Sequence, residues 1–274
     1  DHLETYDNDP EQLMAAFVQF ADAATTPIYC ADDPGAMQIA SAVPGITYGT
    51  AEHADYRIVD METDRASVAF TIRHDGVEVA RVELPTPGMH NARNAAAALV
   101  ATIAAGGSAA AAAMALARFG GVARRFEFRG EIDGVTFVDD YAHLPTEVEA
   151  ALAAATDGGW ERIVCVFQPH RYSRTAALWQ DFAHGFGGAD VLVVTDIYAS
   201  GETPRPGITG KLIVDAVLDA HPWSTVAWMP RLDDAAGWLA QRLRPGDLCL
   251  TLGAGDLTGL PGQVIGRLEH KGAA

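Results

Sequence analysis

The stretch R-I-V-C-V-F-Q-P-H-R-Y-S-R (162–174) decides how the second half of the chain folds. It begins as an apolar run, which is typical of a strand buried on both faces, and then turns polar at once. Similar apolar runs recur at 135–139, 190–195, 225–229 and 247–252, with room for helices of about ten to fifteen residues between them. This alternation predicts a doubly wound α/β domain with a parallel sheet, whose ligands gather at the carboxyl ends of the strands.

The first half mixes helix and strand signals. Helices are predicted near 10–21 and 35–42, with an apolar strand between them. Residues 55–84 alternate in polarity on both sides of an Asp-Gly pair at 75–76, which predicts an antiparallel ribbon with a tight hairpin. The Ala-rich stretch 95–117 is interrupted by Gly-Gly-Ser, so it predicts two packed helices and not a membrane span.

Length and charge restrict the class of protein. The 274 residues are enough for two domains, and we place them at 1–123 and 124–274. A net charge of −17 repels phosphate backbones and anionic lipid, so nucleic acid and membranes are poor partners. Cys30, Cys165 and Cys249 each lie in an apolar run without metal-ligand spacing, which predicts buried strand positions in a reducing compartment.

Polar residues follow two of the predicted strands. Asp140, Tyr141 and His143 come after 135–139, where they serve either to begin a helix at Pro145 or to bind a ligand. His170, Arg171 and Arg174 follow 162–167. Two arginines at a helix start oppose the helix dipole, so we favour binding of a carboxylate or phosphate over a solvated face.

Two further motifs leave alternatives open. Asn91 and Asn94 share one face at the start of an apolar helix. Either one of them is the N-cap of that helix, or the pair recognises a planar ligand through its two amides. Arg124 and Arg125, at the domain junction, form either a solvated pair or a phosphate contact.

Taken together, these motifs resemble the Mur ligase family of bacterial cell-wall synthesis. The segment Q-P-H-R-Y-S-R points to the alanine-adding branch of that family. The matching segments span essentially the whole chain: D-H-L-E-T-Y (1–6), G-M-H-N-A-R-N (88–94), A-R-R-F-E-F-R-G (123–130), V-D-D-Y-A-H-L-P-T-E (138–147), F-Q-P-H-R-Y-S-R (167–174), D-I-Y-A-S-G-E (196–202) and G-A-G-D (253–256).

The resemblance implies a cytoplasmic, ATP- and Mg²⁺-dependent ligase that joins L-alanine to UDP-N-acetylmuramate through an acyl phosphate. It implies an incomplete central ATP-binding domain followed by a Rossmann-like C-terminal domain. By residue, it implies magnesium binding at His2, nucleotide binding at Asn91, Asn94, Arg125 and Asp140, catalytic roles for Arg125, Asp140 and His143, and substrate binding by Tyr141, His143, His170, Arg171 and Arg174.

Two departures from the family pattern qualify these expectations. The family usually has Gly-His-His where this chain has Ala142-His143-Leu144. The chain also contains no G-x-x-x-x-G-K-[ST] phosphate loop. We therefore expect the back portion of a ligase, without turnover of its own and with the N-terminal part of the same protein as its partner. The alternatives are a Mur-type ligase that adds another amino acid or peptide, and a non-catalytic binding module.

Overall fold

The structure, a computed structural model, describes residue 6 and residues 9–272. The chain divides into two compact units, residues 1–120 and 121–274. The first unit contains, in chain order, α1 (Pro10–Asp22), β1 (Ile28–Cys30), α2 (Pro34–Ala42), β2 (Ile46–Gly49), β3 (Tyr56–Thr63), β4 (Val68–His74), β5 (Val77–Leu84), α3 (Met89–Ala104) and α4 (Ala109–Leu116).

One five-stranded sheet organises the first unit, in the order β1-β2-β3-β4-β5. The strands β1, β2 and β3 are parallel, whereas β3, β4 and β5 are antiparallel. The predicted hairpin is confirmed: Asp75 and Gly76, with φ of 50° and 76°, join β4 to β5. Strand β2 was not predicted, because it has four residues and only one buried position.

The core of the first unit lies between the antiparallel ribbon and α3. The ribbon contributes Phe70, Ile72 and Val82, all fully buried, and the helix contributes small alanines together with Leu99. Alanines let the helix approach the sheet closely, so the Ala-rich sequence is explained by packing and not by a membrane. None of the described helices is long and apolar enough to cross a membrane.

The second unit alternates strands and helices as predicted. It contains β6 (Glu127–Ile132), β7 (Val135–Asp140), α5 (Pro145–Asp157), β8 (Arg162–Phe167), α6 (Tyr172–Leu178), β9 (Val191–Val194), α7 (Lys211–Ala220), β10 (Val226–Trp228), α8 (Leu232–Arg242), β11 (Asp247–Leu252) and α9 (Leu260–Gly272), with short 3-10 turns at Asp181–Ala183 and Asp256–Gly259.

The sheet of this unit has the order β10-β9-β8-β11-β7-β6, and all strands except β6 are parallel. The expected Rossmann-like α/β architecture is therefore confirmed. The edge strand β6 was missed, although Asp133-Gly134, with φ of 51° and 72°, forms the same kind of hairpin as in the first unit. Helix α6 is shorter than predicted, with seven residues.

Helices cover both faces of this parallel sheet. One face packs against α5 and α7, and the other against α8 and α9. Every residue of β7 and β11 is buried, as the continuous apolar runs predicted. Cys165 and Cys249 are buried free thiols, and burial raises the pKa of Cys249 to about 12. Cys30 is only partly buried, so the prediction of a buried position was wrong there.

Candidate functional site

The carboxyl ends of three adjacent strands bring the predicted loops of the second unit together. Strand β11 lies between β7 and β8, and Leu252 is in register with Asp140 on one side and Phe167 on the other. The loops that follow these three residues therefore leave the sheet side by side. This is the position at which open α/β sheets bind ligands, because the strand order reverses there.

A row of four aromatic and imidazole rings crosses this edge. The Tyr141 ring lies 5.4 Å from that of His143, and the His143 ring lies 5.4 Å from that of His170. The His170 ring stacks on Tyr198, with centroids 5.8 Å apart and planes 10° apart. The structure thus brings Tyr141, His143 and His170 together. It adds Tyr198, which lies in the segment D-I-Y-A-S-G-E but had no predicted role.

Positive charge surrounds His170. The Arg174 Nη1 atom lies 3.2 Å from His170 Nδ1. Burial, followed by the charges of His143, Arg174 and Arg171, lowers the pKa of His170 from its ordinary value to about 4. His170 is therefore neutral at pH 7, and its surroundings favour an anion over a further cation.

Arg171 and Arg174 lie at the start of α6, as predicted. Arg171 is the N-cap residue, with φ of 67°, and its backbone N–H donates to the Tyr198 carbonyl at 2.9 Å. A left-handed conformation is costly for a residue with a long side chain, and such strain concentrates at functional sites. The exposed Arg171 guanidinium forms no hydrogen bond or ion pair with any residue that the structure describes. It is available to a ligand.

Glu202 fastens the Tyr198 loop to α6. One of its carboxylate oxygens accepts from the Ser173 backbone N–H at 2.9 Å, and the other accepts from the Ser173 hydroxyl. These hydrogen bonds lower the pKa of Glu202. This contact was not predicted, because no local sequence pattern links two segments 29 residues apart.

Asp140 is turned into the protein. Its side chain accepts from the backbone N–H groups of Phe126 and Ala142, both at 2.7 Å. Burial raises the pKa of Asp140, and these two N–H donors together with the Arg125 charge oppose that rise. The carboxylate fixes the geometry of the loop after β7, and its predicted catalytic role stays a prediction.

The two arginines at the junction differ sharply. The Arg124 guanidinium donates to the carbonyls of Gly253, Ala254 and Gly255 and to the buried carboxylate of Asp139. Neither a solvated pair nor a phosphate contact describes Arg124, which instead holds the G-A-G-D loop. Arg125 is different: 48% of its side chain is exposed, and its guanidinium lies 4.0 Å from the Glu147 carboxylate. Both guanidinium groups lie over the Tyr141 ring, that of Arg124 at 4.8 Å and that of Arg125 at 5.7 Å.

In the first unit, Asn91 and Asn94 lie in the first turns of α3. The N-cap is Gly88, with φ of 98° and no side-chain cap bond, so the explanation of either Asn as the cap was wrong. Asn91 Nδ2 donates to the Pro87 carbonyl at 2.7 Å, which leaves its amide oxygen as an acceptor. Asn94 is exposed.

Between the two asparagines, Arg93 anchors α3 to the end of β1. Its Nε donates to Asp32 at 2.8 Å, and Asp32 also accepts from the backbone N–H groups of Thr50 and Ala51. This ion pair was not anticipated. The predicted magnesium ligand His2 lies outside the described residues. Within the described part of the chain, no three His, Cys, Asp or Glu side chains are grouped so that they could hold a metal ion.

Two family models match most of the sequence. Residues 1–102 match the Mur ligase middle domain, and residues 124–255 match the Mur ligase, glutamate ligase domain. The chain belongs to the Mur ligase family. The resemblance noted from the sequence motifs is thereby confirmed.

Relatives and solved structures agree with the family models. Two proteins named UDP-N-acetylmuramate–L-alanine ligase, from Desulforamulus reducens and Clavibacter sepedonicus, are 40% and 44% identical over 99% and 98% of this chain. The chain spans 60% and 56% of their lengths. The crystal structure of UDP-N-acetylmuramate-alanine ligase from Thermotoga maritima matches with a TM-score of 0.80 and 26% identity, over 99% of this chain and 58% of that one.

Proposed function

We propose that this Mur ligase chain belongs to an ATP-dependent ligase that joins L-alanine to UDP-N-acetylmuramate in peptidoglycan precursor synthesis. The observation that carries the proposal is the group of Arg171, Arg174 and neutral His170 at the carboxyl edge of the parallel sheet, beside the ring row. Both substrates of such a ligase carry a carboxylate. The names of the relatives support this choice of sugar nucleotide and amino acid.

The residues present suit the reaction. The γ-phosphoryl group of ATP would pass to the carboxylate of the muramoyl substrate, with ADP leaving. The amine of alanine would then attack the carbonyl carbon, losing a proton and displacing phosphate. Arg171 and Arg174 would hold a carboxylate by paired N–H donors, and Arg125 would offset charge on the transferring phosphoryl group. Positioning does most of the work in this kind of reaction.

The nucleotide would bind at the start of α3. The free amide oxygen of Asn91 can accept from an adenine amino group, and the exposed Asn94 offers both a donor and an acceptor. Mg²⁺, for which we propose His2, would neutralise phosphate charge when bound. We propose that Asp140 acts near the nucleotide and that His143 acts near the muramoyl substrate and the amino acid. Tyr141 would contact the same substrates.

Steady-state kinetics test the carboxylate assignment in the product of the complete open reading frame that encodes this chain. Arg171→Lys and Arg174→Lys keep the charge but lose the planar fork of donors. We expect kcat/KM for UDP-N-acetylmuramate or L-alanine to fall at least about tenfold, with little change in the KM for ATP. Arg231→Lys, at a 79% exposed arginine elsewhere in the same unit, is the matched control. Wild-type constants for both substrates in both variants would refute the assignment.

The same assay tests the nucleotide assignment. Asn91→Ala and Asn94→Ala remove the amides while leaving the Gly88 cap of α3 intact. We expect a higher KM for ATP and unchanged constants for the amino acid. An unchanged KM for ATP in both variants would contradict nucleotide binding by these residues.

A further inference from the structure

The start of α6 is held by a segment from another part of the chain. The loop between β9 and α7, residues 195–210, passes beside it. The Tyr198 carbonyl accepts from the Arg171 backbone N–H at 2.9 Å. Glu202, four residues further along the loop, accepts from both the backbone N–H and the hydroxyl of Ser173. The loop therefore holds the chain at Arg171 and again two residues beyond it.

The N-cap position of α6 is occupied by a residue that cannot cap a helix. An N-cap side chain normally accepts from the backbone N–H of the second or third helical residue, and Ser, Thr, Asp and Asn are preferred there. The Arg171 side chain has only donors, and it makes no cap bond. Ser173 is the second helical residue, and its N–H donates to Glu202 at 2.9 Å. Glu202 therefore makes the hydrogen bond that the N-cap side chain makes in other helices.

Glu202 also supplies negative charge to this helix start. The amino end of a helix is the positive end of its dipole, which disfavours Arg171 and Arg174 and favours a carboxylate. The first turn of α6 contains no acidic residue of its own. Hydrogen bonds from the hydroxyl and the backbone of Ser173 lower the pKa of Glu202, so this side chain is ionised at pH 7. A carboxylate from the loop thus offsets the cost of placing two arginines here.

The backbone of Arg171 is anchored, whereas its side chain is free. Its N–H donates to the Tyr198 carbonyl, and its carbonyl accepts from the N–H and the hydroxyl of Thr175 at 3.0 Å and 2.9 Å. These hydrogen bonds hold the backbone at a φ of 67°, which residues with side chains rarely adopt. A rigid backbone below an exposed guanidinium is the arrangement that precise binding of a carboxylate needs.

We propose that Glu202 is a positioning residue of the ligase site, which replaces the missing N-cap of α6 so that Arg171 can present its guanidinium to a substrate carboxylate. This inference rests on the proposed function. Glu202 is assigned no contact with a substrate, because both of its oxygens bind Ser173. It acts through the backbone at the start of α6.

Steady-state kinetics of the product of the complete open reading frame test whether Glu202 acts through Arg171. Glu202→Gln keeps the size of the side chain and one acceptor oxygen, but it loses the charge and the second acceptor. We expect kcat/KM to fall at least about tenfold for the same substrate that Arg171→Lys affects, with little change in the KM for ATP. In the double variant, Glu202→Gln should add no more than about twofold to the effect of Arg171→Lys, because both changes disturb one interaction. A general loss of structure would instead multiply the two effects and alter the KM for ATP.

Asp190→Asn is the matched control. Asp190 accepts from the Ile163 backbone N–H at 2.7 Å near the amino end of β8, so this variant makes the same change of charge at the same kind of hydrogen bond, away from the carboxyl edge. Its kinetic constants should equal those of wild type. In NMR spectra of the 274-residue chain, hydrogen exchange at the Ser173 amide should be at least about tenfold faster in Glu202→Gln and unchanged in Asp190→Asn.

These measurements separate the inference from the proposed function. If the wild-type protein is an active ligase, the inference alone is overturned by wild-type constants in Glu202→Gln, by multiplied effects in the double variant, or by unaltered exchange at Ser173. A wild-type product that does not join L-alanine to UDP-N-acetylmuramate refutes the proposed function, and the inference with it.

A milder variant keeps the test decisive if Glu202→Gln fails to fold, as tryptophan fluorescence would reveal. Ser173→Ala removes the hydroxyl that donates to Glu202 but leaves the backbone N–H in place. We expect the same kcat/KM to fall at least about threefold in this variant. Wild-type constants in Ser173→Ala would then overturn the inference.

Discussion

Replacing Arg124 should destabilise the second unit more than replacing any exposed arginine in it. The Arg124 guanidinium contacts the fully buried carboxylate of Asp139 at 3.3 Å and three consecutive carbonyls of the loop after β11. Arg124→Ala removes all four contacts at once. It also leaves a buried carboxylate without its nearest cation.

The expected magnitude follows from the contacts that remain. Breaking a buried ion pair typically costs about 3–5 kcal/mol, because the remaining charge is left in a low dielectric. Here Asp139 keeps the hydroxyls of Thr251 and Thr258 at 2.6 Å and 2.7 Å, and Arg129 lies 3.7 Å away. Water can reach the freed carbonyls, since 22% of the Arg124 side chain is exposed. We therefore expect a loss of about 2–4 kcal/mol in the free energy of unfolding.

Arg129→Ala is the matched control. Arg129 approaches the same carboxylate, but it is exposed and farther away, so its removal should cost about 1 kcal/mol or less. Arg124→Lys keeps a cation but cannot reach three carbonyls and a carboxylate together, so we expect a cost between those of the two alanine variants.

Urea unfolding followed by tryptophan fluorescence measures these differences. All five tryptophans lie within residues 121–274, at positions 160, 179, 223, 228 and 238, so the signal reports the second unit. Urea is uncharged and does not screen the ion pair. If Arg124→Ala lies within about 0.5 kcal/mol of wild type, or costs no more than Arg129→Ala, the reasoning about this buried contact is refuted.

Four further outcomes are expected. In NMR titrations, His170 should remain neutral down to about pH 4. Because its pKa is lower in the folded state than in the unfolded state, its contribution to the free energy of unfolding is complete above pH 6.5 and is lost as the pH falls from 6.5 toward 4. Arg174→Met should raise the pKa of His170 and Arg231→Met should not; equal titration curves in all three proteins would contradict the predicted influence of Arg174. Asp32→Asn should speed hydrogen exchange at the Thr50 and Ala51 amides at least about tenfold, whereas Asp33→Asn, which keeps a good N-cap for α2, should not. Burial raises the pKa of Asp32, but the backbone N–H donors and Arg93 outweigh burial and lower the pKa overall. The hydrogen bonds from Asp32 to the Thr50 and Ala51 amides should therefore weaken as the pH falls through the folded-state pKa of Asp32. Exchange protection of these two amides that does not change on acidification would argue against this prediction.

Local patterns determined the elements of this protein. The apolar runs at 162–167 and 247–252 coincide with β8 and β11, because a strand covered on both faces needs apolar residues at every position. Pro145 begins α5, since its fixed φ suits the first turn of a helix. The motifs also indicated the Mur ligase family, which two domain models confirm. The individual site assignments remain predictions.

Tertiary structure alone decided which of these elements meet. Insertion of β11 between β7 and β8 places the G-A-G-D loop within reach of Arg124, 129 residues away from Gly253 in sequence. The same strand order sets His143 beside His170 and leaves Arg171 exposed, whereas Asp140 is turned inward. Periodicity reports only how one segment faces the core, while strand order and register arise from packing between distant segments. For that reason the sequence predicted the same two roles for Arg124 and Arg125. Only the fold showed that Arg124 holds a loop whereas Arg125 faces solvent.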